Sequence, residues 1–370
     1  MKIIKTGENV IYTNPTPALK SIHSFFPGAT QLDNGDILAT HVVGEAFESV
    51  NGTTRLSLSR DKGETWELLP VFYDKSDFAV MTSDSMKPTN VGNGNVILLG
   101  YEYLRKDETQ TIGNPKTGGV QPSDIIISKS SDNGKTWSKP EKVPSVFKGP
   151  IEASAPITVL ANGDWAAPIT SFQSYDGVRY EPSCGRLLRS SDKGKTWSDD
   201  VIVMDMGENV SAYEQRICQL EKSGAIVNIS WCEDLITGKS YNNQYTISYD
   251  NGLTFSDPVD TGIFGQASGI TAIGENKLLA LHAMRKGTDR PGIYAYIVDL
   301  SDGKWNIESE SVIWEPDAPI VKDTSMAAVF AFLKFGQPGA IKLSDGSIMT
   351  THWTVENGQG KTIAMKFDIK

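Results

Sequence analysis

Ser130-Ser131-Asp132-Asn133-Gly134-Lys135-Thr136-Trp137 is one of four near-copies of a single phrase, Ser-x-Asp-x-Gly-x-Thr-Trp. The others run Ser59 to Trp66, Ser190 to Trp197 and Ser248 to Phe255, and the four aspartates are Asp61, Asp132, Asp192 and Asp250. A phrase recurring about every 60 residues marks an array of supersecondary units, none able to bury its apolar face alone. Each copy follows a strand-like run such as Ile125-Ile126-Ile127 or Tyr245-Thr246-Ile247. Its Asp-x-Gly core is turn chemistry. The aspartate accepts from nearby backbone N–H groups, and the glycine takes a positive φ. The closing Trp or Phe opens the next strand and packs back over the turn.

A second repeat runs out of phase with the first. Apolar strands flank Asn34-Gly35, Asn93-Gly94, Asn162-Gly163, Ser223-Gly224, Glu275-Asn276 and Asp345-Gly346. These are hairpin signals. Six such hairpins, four of them followed by a decorated second turn, predict a four-stranded unit repeated six times. That is an all-β, six-bladed β-propeller. Blade five carries a decayed copy of the phrase, Asp299 to Trp305. The last blade lacks a strand, and the N-terminal stretch Lys2 to Tyr12 is expected to supply it and close the ring. The repeats span nearly the whole chain, so residues 1–370 are read as one domain.

Bulk composition narrows the function. A net charge of −10 argues against a nucleic-acid or anionic-membrane partner. No apolar run approaches the length of a membrane span. Met1 to Pro15 hold no apolar leader core, which favours the cytoplasm. Cys184, Cys218 and Cys232 have no metal-ligand spacing and are expected to be reduced and buried. Neither a metal nor a cofactor is expected.

In a propeller the innermost strands begin at one mouth of the axial channel, and the Asp-box turns lie on the opposite face. The box aspartates are therefore structural. Counting ten residues back from each inner turn reaches Phe25, Asp84, Ala153 beside Glu152, Glu214, Gln266, and Gly336 beside Gln337. Three carboxylates, Asp84, Glu152 and Glu214, are thus expected at one mouth. Charged groups there are solvated, paired or functional. The returning strands add Glu45 and Glu48, Trp231, Arg285, and His352 with Trp353. Aromatic rings at a mouth can stack on a sugar or fill the gap between blades. His41, His282 and His352 share a register, but strand alternation turns that position between blades when its neighbour faces the channel.

Boxes, blade number and phase together resemble the sialidase (neuraminidase) superfamily over essentially the whole chain. The resemblance implies three arginines on the substrate carboxylate, a tyrosine nucleophile activated by a glutamate, and an aspartate acid/base. The Arg-Ile-Pro motif that opens blade one corresponds here to Phe25-Phe26-Pro27, without the arginine. The glutamate corresponds to Glu214 in Tyr213-Glu214-Gln215-Arg216. The second arginine falls at Trp231, and the third is matched by Arg290 in Arg290-Pro291-Gly292-Ile293-Tyr294. The tyrosine falls at Gln337, and the acid/base loop offers only Glu45 and Glu48. Ordinary sialidase activity is not expected, because the bidentate carboxylate clamp and the covalent route are both gone.

The resemblance still implies a carbohydrate pocket. The leading expectation is a glycoside hydrolase acting on the end of an oligosaccharide through a carboxylate pair, Glu214 with Glu152 or Asp84. Glu45 is a further candidate acid. Arg290, Arg285, Trp231, Gln337, Gln266, Phe25, His352 and Trp353 would contact the sugar. The alternatives are a polysaccharide lyase on uronate-containing glycans and a carbohydrate-binding propeller without catalysis.

Overall fold

The repeat chemistry predicts six sheets, and six are present. The structure, a computed structural model, describes residues 1–76, 80–317 and 333–370. Strand β1 (Ile3–Tyr12) comes first in the chain. Blade one is β2 (His23–Gln31), β3 (Ile37–Gly44), β4 (Thr53–Ser59) and β5 (Glu67–Leu68). Blade two is β6 (Met81–Gly92), β7 (Asn95–Arg105), β8 (Ser123–Ser130) and β9 (Glu141–Val143). In blade three the inner strand is split into β10 (Ile151–Glu152) and β11 (Thr158–Val159), followed by β12 (Trp165–Ser171), β13 (Gly185–Ser190) and β14 (Ser198–Met204). Blade four holds β15 (Val210–Gln219), β16 (Ile226–Asp234), β17 (Gln244–Ser248) and β18 (Val259–Asp260). Blade five holds β19 (Ser268–Gly274), β20 (Lys277–Met284), β21 (Gly292–Asp299) and β22 (Asn306–Trp314). Blade six holds β23 (Phe335–Lys342), β24 (Ile348–Glu356) and β25 (Gln359–Ile369), with β1 as its outer strand. The β1–β25 register runs from Ile3 opposite Ile369 to Tyr12 opposite Thr362, so the ring closes as the strand count requires.

Each box works as a small cage. In the second, Asp132 Oδ1 accepts from the Thr136 N–H at 2.9 Å, and Oδ2 accepts from Thr136 Oγ1 at 2.6 Å. Ser130 Oγ donates to the same carboxylate and accepts from the Gly134 N–H at 2.9 Å. These bonds hold the Asp132 carboxyl down at about 2. The box faces the inner turns: the Asn133 N–H donates to Gly94 O, and the Gly94 N–H donates to Asp33 of the preceding blade. The boxes therefore lie on the face away from the mouth.

The box aromatic does more than cover its own turn. Trp66 packs with the cluster between blades six and one, Trp137 with that between one and two, and Trp197 with that between two and three. Phe255 and Trp305 do the same at the next two seams. Each repeat thus caps the seam with the blade before it, and six such apolar seams make the core. Cys184, Cys218 and Cys232 are free and buried, and burial pushes the Cys218 and Cys232 thiols up to about 12.

One inner contact is tight enough to forbid a side chain. A Cβ on Gly100 of β7 would stand 1.9 Å from the backbone oxygen of Ser85 and 2.6 Å from Met86 Cα. No flexible side chain can yield there. Gly100→Ala is expected to destabilise by about 3 kcal/mol or more, read by denaturant unfolding at constant m. A loss within ~0.5 kcal/mol would mean that β6 and β7 are not packed this closely.

Candidate functional site

Three of the inner strands carry a β-bulge at the mouth. It lies between Phe25 and Gly28 in β2, Tyr213 and Arg216 in β15, and Gly336 and Gly339 in β23. Equivalent residues in the three bulges, Phe26, Glu214 and Gln337, have positive φ of 51°, 46° and 45°. A non-glycine residue held there costs about 1 kcal/mol or more, and such strain clusters at functional sites. The bulges aim these residues at the ring axis.

There they join one network. Glu214 Oε2 accepts from Trp231 Nε1 at 2.9 Å, and Oε1 accepts from Gln337 Nε2 at 3.0 Å. Gln337 Oε1 accepts from Lys87 Nζ at 2.9 Å, and Lys87 also donates to Phe26 O. The Glu214 N–H donates to Glu152 Oε2 at 3.0 Å. Ser154 Oγ donates to Glu152 and accepts from Arg216 Nη1 at 3.0 Å. Trp231 stacks on Tyr213, 4.4 Å between centroids and 26° between planes. Arg285 donates to the backbone oxygens of Phe335 and Gln266, and its own N–H reaches Gln266 Oε1 at 2.8 Å.

Burial dominates the electrostatics. It raises the Glu152 carboxyl, and the neighbouring charge of Glu214 raises it further. It drives the Lys87 ammonium well below its ordinary value, with the Arg216 guanidinium adding to the shift. It lowers Arg285 too, against the attraction of Glu214. One carboxylate is thus biased toward its neutral form beside another held by an indole and an amide. That is the arrangement a carboxylate pair needs to divide acid from base or nucleophile.

Glu214, Glu152, Trp231, Gln337, Arg285 and Gln266 are therefore brought together. Phe25 and Trp353 lie just beneath the mouth, 3% and 1% exposed, with centroids 5.4 Å apart. Phe26 and Phe47 pack over them, each 5.0 Å or more from its ring neighbours. Phe25 and Trp353 shape the pocket wall from below.

Four expected residues lie elsewhere. Asp84 is buried toward blade one, where Thr54 N, Thr54 Oγ1, Tyr73 OH and Lys75 Nζ surround its carboxylate. The cause is register. β6 pairs with β7 without a shift from Met81 to Asn90, so ten residues back from its turn lands opposite Glu102, past the mouth. Glu45 is exposed and lines an outer crevice with Tyr12, Lys20 and Arg55. Arg290 is exposed and forms a two-pronged ion pair with Glu315 at 2.6 and 2.7 Å; of the two arginines after β20, Arg285 is the one that Glu214 attracts. His352 is fully buried between blades with its ring 5.0 Å from Trp314, as alternation requires, and His41 and His282 are buried likewise. No group of His, Cys, Asp and Glu fit to hold a metal ion occurs among the described residues.

Lys87, Arg216, Phe26 and Phe47 were not foreseen. The legible sign for the first two was shared register: Lys87 lies opposite Leu99 and Arg216 opposite Ile229, the same step of their second strands.

Comparisons with known proteins agree with this fold. Over 100% of this chain and 99% of the other, the fold matches the crystal structure of a protein of unknown function from Dyadobacter fermentans, with a TM-score of 0.76 and 19% identity. It matches the NanB sialidase from Streptococcus pneumoniae with a TM-score of 0.66 at 12% identity, over 98% of this chain and 71% of that one. It matches Trypanosoma rangeli sialidase with a TM-score of 0.60 at 16% identity, over 98% and 59%. At these identities the likeness establishes the fold. A curated sialidase from Paraclostridium sordellii is 26% identical over 147 residues, which is 32% of this chain and 35% of that protein. The chain thus matches about a third of that sialidase's length. The model of the BNR repeat-like domain matches residues 110–307, more than half of the sequence, and the chain belongs to that family, on a β-propeller of the sialidase superfamily.

Proposed function

We propose that the mouth binds a glycan and hydrolyses its terminal sugar with Glu152 and Glu214 as a carboxylate pair. The observation that carries this reading is the bond from the Glu214 N–H to Glu152 Oε2, which ties the Glu152 carboxylate to the backbone of the bulge that carries Glu214. Glu152, raised by burial and by its neighbour, is the proton donor. Glu214, aimed by its bulge and held by Trp231 and Gln337, is the base or nucleophile. Gln337 occupies the place that the sialidase resemblance gives to the tyrosine, and it meets Glu214 through an amide that cannot attack a sugar. Phe25 and Trp231 stand where two carboxylate-binding arginines would, and Arg290, matched to the third, is held by Glu315 away from the mouth, so a sialic acid loses its three-arginine clamp. Arg285 remains to orient the substrate. The glycan partner is supported by the sialidases among the relatives.

The test is release of sugar from a panel of oligosaccharides and aryl glycosides by the protein and by Glu214→Gln, which keeps the side-chain shape and removes the charge. Hydrolysis by the protein that is lost in the variant supports the pair. Turnover undiminished in Glu214→Gln ends the reading. Saturable binding without any product would leave a carbohydrate-binding propeller instead.

A further inference from the structure

Below the network described above, the channel narrows to a cavity of about 70 Å³. All six inner strands line it, mostly with apolar groups: Pro27, Pro88, Pro156, Ile217, Ile270 and Pro338. Two cations also line it, Lys87 and Arg216, 2% and 7% exposed. Among the described residues, no aspartate or glutamate lines it. Glu152 and Glu214 attract both cations from the mouth side.

The hydrogen bonds of these cations go to neutral oxygens. Lys87 donates to Gln337 Oε1 and Phe26 O; Arg216 donates through Nη1 to Ser154 Oγ and Gln215 O. Two like charges this deep repel each other and lose hydration, and the repulsion is felt in the depressed ammonium of Lys87. An apolar chamber with two cations in its wall and no acid facing it is complementary to a negative charge. Its size limits what can enter. A cavity of this volume takes a few waters or one small ion.

We propose that the axial cavity binds one small monovalent anion of chloride size between Lys87 and Arg216. The ion neutralises the cation pair from below, as the two glutamates do from above. It also sets the field in which Glu152 and Glu214 ionise. The inference goes beyond the hydrolytic reading and does not need it: the anion can be present whether or not a glycan is cleaved.

The experiment is thermal unfolding of the full chain at constant ionic strength in sodium chloride, sodium bromide and sodium gluconate, with anomalous diffraction from crystals grown in bromide. Chloride and bromide should raise the midpoint saturably by several degrees over gluconate, whose anion is too large for the chamber. Bromide should give an anomalous peak between Lys87 Nζ and the Arg216 guanidinium. Arg216→Met should abolish the halide-specific rise. Equal midpoints in the three salts, a bromide peak only outside the cavity, or an undiminished rise in Arg216→Met would each overturn the proposal. The salt series and the diffraction use the unaltered protein, so misfolding of the variant would not shield it.

Discussion

Glu152→Gln is expected to slow cleavage of an unactivated oligosaccharide by about 10²–10⁴-fold, the range a positioned proton donor contributes. Aryl glycosides with acidic leaving groups, which depart without a proton, should lose far less. The reason is the position of the carboxyl. Burial first, and the charge of Glu214 second, hold it toward the protonated state. In the unaltered protein the alkaline limb of activity should follow this raised ionisation, and in the variant that limb should vanish. The same shift has a stability sign. A carboxyl whose folded pKa lies above its unfolded value stabilises fully below the unfolded value, near 4.5, and loses that contribution as pH rises through the folded one. Gln does not ionise, so Glu152→Gln should gain stability relative to the unaltered protein as pH rises from about 4.5. An equal loss on both substrate classes, with the alkaline limb intact, would remove Glu152 from the role of acid.

The largest change in stability is expected from histidines that touch no ligand. Burial lowers His41, His282 and His352 to about 3. His41 is held by the hydroxyls of Ser24 and Ser57, at 3.0 and 2.9 Å from its two ring nitrogens. Both ring nitrogens of His282 and of His352 are buried without a hydrogen-bond partner among the described residues. The folded pKa here is depressed, so the unfolded chain binds more protons and stability falls as pH drops from 6.5 toward 3. At ~1.4 kcal/mol per unit, each histidine removes about 2 kcal/mol by pH 5, and three together remove about 6. That rivals the entire stability of many domains. The box aspartates act in a different window. Asp61, Asp132 and Asp250 sit at about 2, so their contribution is lost only between about 4 and 2. Denaturant unfolding across pH separates the two. A His282→Leu, His352→Leu double variant should lose two protons of slope between pH 6.5 and 4, and an unchanged acid limb would refute the assignment.

The fold was legible because its signals are local. A box needs only the eight residues from Ser130 to Trp137 to fix its turn, and Asn93-Gly94 fixes a hairpin without reference to the rest of the chain. The clasp followed from counting strands. The site was legible only in part, because register beyond a turn is set by pairing. Counting back from Gly224 lands on Glu214 inside a bulge, opposite the Trp231 step; the same count from Gly94 overshoots to Asp84 because β6 has no bulge at the mouth. Nothing in the local sequence announces which inner strand will carry the extra residue. The two arginines after β20 show a second limit. Arg285 sits one residue past Met284 and is fixed by Gln266, whereas Arg290 is captured by Glu315 at the end of β22, a partner 25 residues away. Alternation sends His41, His282 and His352 between blades, and the structure follows it at all three, against the expectation that His352 would touch the sugar.

The pairing of β1 with β25 imposes an order of events. Residues 3–12 are synthesised before the strands of blades one to five, and their partners at 359–369 after them. While those blades are being made β1 lacks its partner, and the sheet of blade six, once started, has a raw outer edge until the two meet. Contacts this distant in sequence form slowly, and unpaired edges invite association with other chains. Nascent copies are therefore most vulnerable to sticking together in the interval after five sheets have formed and before the sixth is finished.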